Sequence, residues 1–315
     1  MRLGLTNSTY QYLFAGTGGM FPKRDSLEFS TFGQPTPYFL QTPKTIDASQ
    51  ALEWLIEKAA RLELSVIHAG IRTWRDQAYL DKIKRLLEKH GLEMMPAIGA
   101  NLIEGGDATK QSVEESQESL RNYQRFGGIA ISKFCTAPMI HTRFTTDPPL
   151  DEQLARITEH VKPIVKAAEE AGIVLAFENH LDYRVRELVR VIEAVGSLNL
   201  RLLFDTGNTL TVCEDPVDAA LDGAPYTVLV HLKDLKVHPW TPGREFVSVM
   251  YAAPLGRGHV QNKQILEILR RRAPDPTNLC LSLELMPVPP NEDEDRWVDE
   301  SIAYAKREFA EFLTR

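Results

Sequence analysis

Cysteine is scarce in this chain: Cys135, Cys213 and Cys280 are the three in 315 residues, far apart and without a CxxC pair. That excludes a disulfide framework and a thiolate zinc or redox motif. Positive charge is also short, 36 Lys and Arg against 43 Asp and Glu for a net charge of −7, so a polyanion would meet repulsion and nucleic acid is not expected as a partner. The one basic run, Arg270-Arg271-Arg272, falls at the end of a predicted helix, where cations complement the helix dipole. No apolar run approaches the roughly 18 residues of a membrane helix. The opening Met1-Arg2-Leu3-Gly4-Leu5-Thr6 reads as a strand rather than a secretory leader, so a cytoplasmic protein without membrane contact is expected. Low-complexity linkers are missing too, and the Pro287, Pro289, Pro290 stretch falls between the last predicted strand and helix; one domain over residues 1–315 is expected.

What is present is a regular alternation. Apolar residues recur at helical spacing in Ala51, Leu52, Leu55, Ile56, Ala59 and in Leu188, Val189, Ile192, Val195, each set standing between short apolar runs. Strands are predicted at 3–6, 64–68, 92–97, 128–132, 173–178, 201–205, 228–232 and 279–285. Helices are predicted at 47–62, 75–90, 112–125, 151–171, 182–195, 214–222, 262–273 and 295–313. Eight βα units imply parallel pairing through crossovers and closure into a (β/α)8 TIM barrel. An open doubly wound sheet is the rival, but Gly16, Gly18 and Gly19 do not open a helix behind the first strand as a dinucleotide fingerprint requires. Residues 7–46 make an unusually long β1–α1 loop rich in aromatics: Tyr10, Tyr12, Phe14, Phe21, Phe29, Phe32, Tyr38 and Phe39. Such a loop on the barrel's functional face is expected to be a lid or a subunit contact.

Four successive predicted strands end in residues that an apolar strand would not choose. These are Glu178 in Phe177-Glu178-Asn179-His180, Asp205 in Phe204-Asp205-Thr206-Gly207-Asn208, His231 in His231-Leu232-Lys233-Asp234, and Glu284 in Leu283-Glu284. Each interval holds one βα unit, so in a barrel all four converge at the C-terminal mouth of neighbouring strands. Alternation supports the inward direction, since Glu178 takes small Ala176 and Val174 with it and Glu284 takes Ser282 and Cys280. Three carboxylates crowded in a partly desolvated pocket repel unless a cation holds them, and one divalent metal is the simplest resolution. Oxygen-rich ligation with one imidazole suits Mn²⁺, Mg²⁺ or Co²⁺, Mn²⁺ first; Zn²⁺ and Fe²⁺ stay open.

This series resembles the xylose isomerase-like superfamily of sugar phosphate isomerases and epimerases, which also contains ketose 3-epimerases, inosose dehydratases and endonuclease IV. The likeness is specific from about residue 173 to 285. It implies a (β/α)8 barrel holding one divalent metal through a Glu, Asp, His, Glu quartet, here Glu178, Asp205, His231 and Glu284. In the epimerase members the two glutamates are the acid/base pair, a role that maps onto Glu178 and Glu284. The chain departs from the pattern at Asn208, where many members have histidine, and at Ile67-His68-Ala69, where relatives often end the strand with glutamate. The first departure argues against endonuclease IV chemistry.

An epimerase or isomerase removes a weakly acidic proton beside a carbonyl, which calls for a Lewis acid and two carboxylates flanking the carbon. The expected substrate is a carbohydrate, unphosphorylated because no strong phosphate cradle is visible. A lyase shares the opening step and is the alternative; a non-catalytic sugar-binding or partner subunit is a second. Candidate substrate contacts are His180, two residues beyond Glu178, Lys233, two beyond His231, and Arg257 in Leu255-Gly256-Arg257-Gly258-His259. Asp234 is a candidate for supporting the site, and His141, after the fourth predicted strand, for a separate acid or base. A homo-oligomer or a second subunit is compatible with the long first loop.

Overall fold

A computed structural model of the protein describes residues 1–10, 13, 46–239, 248–286, 288 and 292–314. Strand and helix alternate along it as the periodicity predicts. β1 (Arg2–Thr6) is followed by α1 (Ala51–Arg61), β2 (Val66–His68), α2 (Gln77–His90), β3 (Glu93–Met95), β4 (Ala97–Ala100), α3 (Gly106–Phe126), β5 (Ile131–Thr136), α4 (Leu150–Ala171) and β6 (Val174–Glu178). Then come α5 (Val185–Val195), β7 (Leu200–Asp205), α6 (Pro216–Gly223), β8 (Thr227–Leu232), β9 (Leu235–Pro239), β10 (Ser248–Ala252), α7 (Asn262–Arg272), β11 (Cys280–Leu283) and α8 (Glu294–Glu308). Carboxylate caps start α2, α6 and α8, where Asp76, Asp215 and Asp293 accept the first free N–H groups.

The main sheet runs β3-β2-β1-β11-β8-β7-β6-β5-β4, with every pairing parallel. Its two ends, β3 and β4, are separated only by Pro96, which has no N–H to give a ladder, while the Pro96 carbonyl still accepts from Lys133 N–H at 2.9 Å. They are one strand broken by a proline, and the sheet closes into a (β/α)8 barrel.

Alternation sorts the strand residues into two cores. Val66, Met95, Ala176, Leu203, Leu229 and Cys280 fill the barrel lumen. The alternate strand residues Ile67, Phe134, Phe177, Phe204 and Leu281 face outward and pack with Ile56, Ile83, Leu120, Ile157 and Leu188 of the surrounding helices. Each such side chain contributes on the order of 1.5–3 kcal/mol by leaving water, so the outer layer fixes which face of every strand looks inward. Glu178, Asp205, His231 and Glu284 continue the lumen series to its C-terminal end.

Several boundaries differ from expectation. The fourth strand, predicted at 128–132, is β5 at Ile131–Thr136, because Gly127 and Gly128 both take positive φ (79° and 74°) in ending α3. α3 begins at Gly106 instead of 112, and α8 stops at Glu308 instead of 313. β9 and β10, which fall outside the predicted strands, form an antiparallel hairpin. Of the first loop, Asn7–Thr9 is a 3-10 turn and Ile46 N–H donates to the Leu13 carbonyl at 2.7 Å. Tyr10 is buried, meets Trp54 edge to face at 5.0 Å and bonds Asp295. The aromatics Tyr12, Phe14, Phe21, Phe29, Phe32, Tyr38 and Phe39, like Pro287, Pro289 and Pro290, lie outside the described residues. The three cysteines are free thiols, and among the described residues no helix is long and apolar enough to cross a membrane.

Candidate functional site

The ends of β6, β7 and β8, and the residue just past β11, bring Glu178, Asp205, His231 and Glu284 together. All four are buried, and one ligand atom from each can be chosen so that all lie within 4.8 Å of one another. His231 Nδ1 stands 2.8 Å from Glu178 Oε1, 3.4 Å from Glu284 Oε2 and 3.6 Å from Asp205 Oδ2. The loops aim these groups. Asp205 Oδ1 accepts the N–H groups of Gly207 and Asn208, both at 2.9 Å, which leaves Oδ2 facing the cluster. Asn179 ties β6 to β7 by donating to the Asp205 carbonyl at 3.0 Å and accepting the Asp205 N–H at 2.8 Å.

Two ammonium groups enter the cluster. Lys233 Nζ lies 2.7 Å from Glu284 Oε2, 2.9 Å from Asp205 Oδ2 and donates to Asn208 Oδ1 at 2.9 Å. Its stem crosses Gly207 so closely that a Cβ there would stand 2.9 Å from Lys233 Cγ and Cδ, which is why that position has no side chain. Asn208, where the family resemblance suggests histidine, thus holds a lysine. The second ammonium was not anticipated: Lys133 of β5 reaches Glu178 Oε2 at 2.5 Å. Its signal is the one that exposed the quartet, a charged residue on the lumen face of a strand, hidden because the strand was placed three residues early.

Two further residues complete the surroundings. His68, at the end of β2, meets His231 ring to ring, Nδ1 to Nε2 at 2.9 Å. Ser8, in the turn after β1, donates to Glu284 Oε1 at 2.5 Å. His180 is buried with Nδ1 free of hydrogen bonds, and burial pushes its imidazole below the ordinary value even though Glu178 beside it opposes the shift. His141 is half-buried, its Nδ1 also without a partner. Arg257 is drawn outward: its side chain is 67% exposed and pairs with Glu300 of α8 at 3.2 Å. Asp234 turns away from the quartet to accept N–H bonds from Gly256, Gly258 and Val260 at 3.0, 2.9 and 3.1 Å, so it anchors the glycine-rich loop.

Charge compensation decides the protonation states. Burial would raise the Glu178 carboxyl, but Lys133, with His180 and His231, outweighs it and holds the group far below the usual carboxylate range. Glu284 is likewise held low against burial, chiefly by Lys233 and His231. His231 is raised well above a free imidazole because Glu284 and Glu178 outweigh its burial, while His68 is pushed well below by burial, with His231 and Lys133 adding to it. The remaining misfit is directional. Both Glu178 oxygens, Asp205 Oδ2 and His231 Nδ1 make ion contacts, yet none has an aligned hydrogen-bond partner. Buried polar atoms left this way call for another partner, and three carboxylates with one imidazole are the donor set of a divalent cation.

Comparison with known proteins gives the same architecture. The family model described as xylose isomerase-like TIM barrel matches residues 51–308. The chain belongs to that family. Among curated proteins it is similar to the uncharacterized protein YihM of Escherichia coli (strain K12), 25% identical over 122 residues, 39% of this chain. The match spans 37% of that relative's length. Among solved structures it is similar to D-psicose 3-epimerase of Clostridium cellulolyticum H10, at a TM-score of 0.68 and 15% identity with all of both chains covered. The probable 3-DHS dehydratase AsbF of Bacillus anthracis gives 0.65 and 13%, covering 98% of this chain and 99% of that one. The IolI protein, solved with a bound zinc atom, gives 0.66 and 14% with full coverage of both. At these identities the likeness is one of fold.

Proposed function

We propose that this xylose isomerase-like barrel is a divalent-metal-dependent isomerase or epimerase of a carbohydrate, moving a proton on a carbon beside a carbonyl. The observation that carries this reading is the convergence of Glu178, Asp205, His231 and Glu284 at the barrel mouth with buried donor atoms lacking hydrogen-bond partners. Those four residues would hold the metal, Mn²⁺ ahead of Mg²⁺ and Co²⁺ for so oxygen-rich a set. When bound, such an ion supplies Lewis-acid polarisation of a carbonyl. The protein's own groups do the rest. Lys133 keeps Glu178 as the carboxylate a general base needs, and Glu178 takes the proton from carbon. Glu284, ionised at rest and paired with the Lys233 ammonium 2.7 Å from its Oε2, would take up a proton from solvent before returning one to carbon, while Glu178 releases its own. His180, buried with an unpartnered Nδ1, is placed to bond a substrate hydroxyl.

That same histidine supports a second reading. Burial lowers its imidazole from the ordinary value and keeps it neutral, so it can donate a ring N–H hydrogen bond to a departing oxygen, which suits a lyase, in which the carbanion expels a β-substituent instead of being reprotonated.

One experiment tests both. Metal-stripped protein is reloaded with Mg²⁺ in D₂O and incubated with ketoses, inososes and 3-oxo-glycosides under proton NMR. Metal-dependent deuterium uptake beside a carbonyl with a new isomer supports the isomerase or epimerase. A new enone or a freed aglycone supports the lyase. Retained metal with neither change on any member of the panel overturns the catalytic reading in favour of a sugar-binding subunit.

A further inference from the structure

The mouth carries more positive charge than its metal ligands need. Glu178, Asp205 and Glu284 bring three negative charges, and a divalent cation held with a neutral His231 would leave the ligand set one charge negative. Lys133 and Lys233, both in ion contact with that set, add two positive charges. Counted over ligands, ion and the two lysines, the loaded set would therefore hold one positive charge in excess, in a place where its side chains are almost wholly withdrawn from water: Lys233 is 3% exposed and Lys133 12%. Excess charge in so desolvated a site calls for an anion.

The surroundings narrow the kind of anion. Phosphate is commonly bound by backbone N–H groups of a glycine-rich loop or by a guanidinium fork. Here the N–H groups of Gly256 and Gly258 are spent on Asp234, and the loop's arginine, Arg257, is turned outward onto Glu300. What remains is a pair of ammoniums: Lys133, whose ion contact is to Glu178 alone, and Lys233, whose three donors now go to Glu284, Asp205 and Asn208 and would be released toward a substrate carboxylate when a bound ion takes those two carboxylates. Resting on the metal-dependent reading above, we infer that the substrate is a sugar acid, a carbohydrate whose carboxylate is received by Lys133 and Lys233.

The test uses a matched pair of inert probes, D-gluconate and D-glucitol, which differ only in a carboxylate against a hydroxymethyl group. They are titrated calorimetrically into full-length protein whose Mg²⁺ occupancy has been measured separately. Gluconate is expected to bind at least about tenfold more tightly than glucitol, the range of one charge-assisted hydrogen bond. Lys133→Met and Lys233→Met should each bring the two affinities to within about threefold, while Lys133→Arg, which keeps the charge, should preserve the preference. Both methionine variants retaining the full preference would place the carboxylate on the metal and overturn the assignment. Inorganic phosphate displacing gluconate at equal concentration would overturn the choice of carboxylate. Failure of the protein to take up Mg²⁺ or Mn²⁺ would defeat the parent reading instead, and is read before either probe is added.

Discussion

The two halves of the barrel bring opposite chemistry to one mouth. The half from β6 to β11 supplies every carboxylate of the quartet, together with His231 and Lys233. The half from β1 to β5 supplies no carboxylate to it, but sends in a hydroxyl from Ser8, an imidazole from His68 and an ammonium from Lys133. The first half holds what could ligate an ion; the second sets the charge and direction of those ligands. A ligand set read without the facing half would have the wrong net charge.

The contrast is broken most severely at Lys133. Removing one partner of a buried pair costs about 3–5 kcal/mol because the other charge is left uncompensated. Lys133→Met should therefore lower the unfolding free energy of the metal-free protein, read from urea denaturation, by that order, and saturating Mg²⁺ should restore most of it by taking over the lysine's role. Equal losses with and without metal would mean that Lys133 packs the lumen and does not compensate Glu178.

The seam between the halves gives the next effect. Asp182, after β6, accepts the Thr136 hydroxyl from β5 and the Tyr183 N–H, and its backbone carbonyl accepts from Arg143 N–H. Burial pushes its carboxyl up to about 6, against hydrogen bonds that pull it down. Raised above its unfolded value, this group binds its proton in the folded state where the unfolded chain has released it. Its contribution to stability is thus fully present below about pH 4 and is lost as pH rises through about 6, on the order of 2–3 kcal/mol in all. Asp182→Asn, which keeps an acceptor for Tyr183 N–H, should flatten the pH dependence of unfolding free energy between pH 4 and 6. An unchanged slope there would show that the seam carries no buried proton.

Within the β6–β11 half, Glu178→Gln and Glu284→Gln should each lose at least about 10²-fold in turnover on a substrate found by the deuterium experiment, with far-UV circular dichroism unchanged. Retained turnover in both would remove the glutamates from the acid/base role and leave only a ligand role to that half.

The same division explains what could be read from sequence. Carboxylates at strand ends stand out against apolar runs, so the quartet and the barrel that gathers it were legible in Glu178, Asp205, His231 and Glu284. Lys133 was not, because Gly127-Gly128-Ile129-Ala130-Ile131 imitates a strand start, whereas both glycines in fact close α3. With β5 begun at Ile131, period two alone puts Lys133 and Cys135 in the lumen. His68 was visible only as a departure from glutamate, since nothing local reports a partner at His231, and Ser8 lies in a turn of ordinary composition. Asp234 was placed at the mouth by adjacency to His231, but three N–H donors of a loop more than twenty residues away claim it. Long-range pairing decides such positions, and local pattern does not encode it.

The mildest change sharpens the comparison at His68. If His231 holds a cation through Nδ1, the nitrogen facing the carboxylates, its Nε2 is left to the ring of His68 at 2.9 Å. A partner on the second nitrogen fixes the tautomer and orientation of a ligating imidazole, and losing it commonly costs about 10–100-fold in metal affinity. His68→Ala should weaken Mn²⁺ binding by that factor in calorimetry at fixed pH, and His68→Asn, which can still exchange a hydrogen bond with Nε2, should recover part of it. The loss should be confined to metal binding, since the quartet keeps its own contacts to Lys133 and Lys233. Equal Mn²⁺ affinity in all three proteins would make the β2 histidine a packing residue, and would leave Lys133 and Ser8 as the means by which the facing half reaches the site.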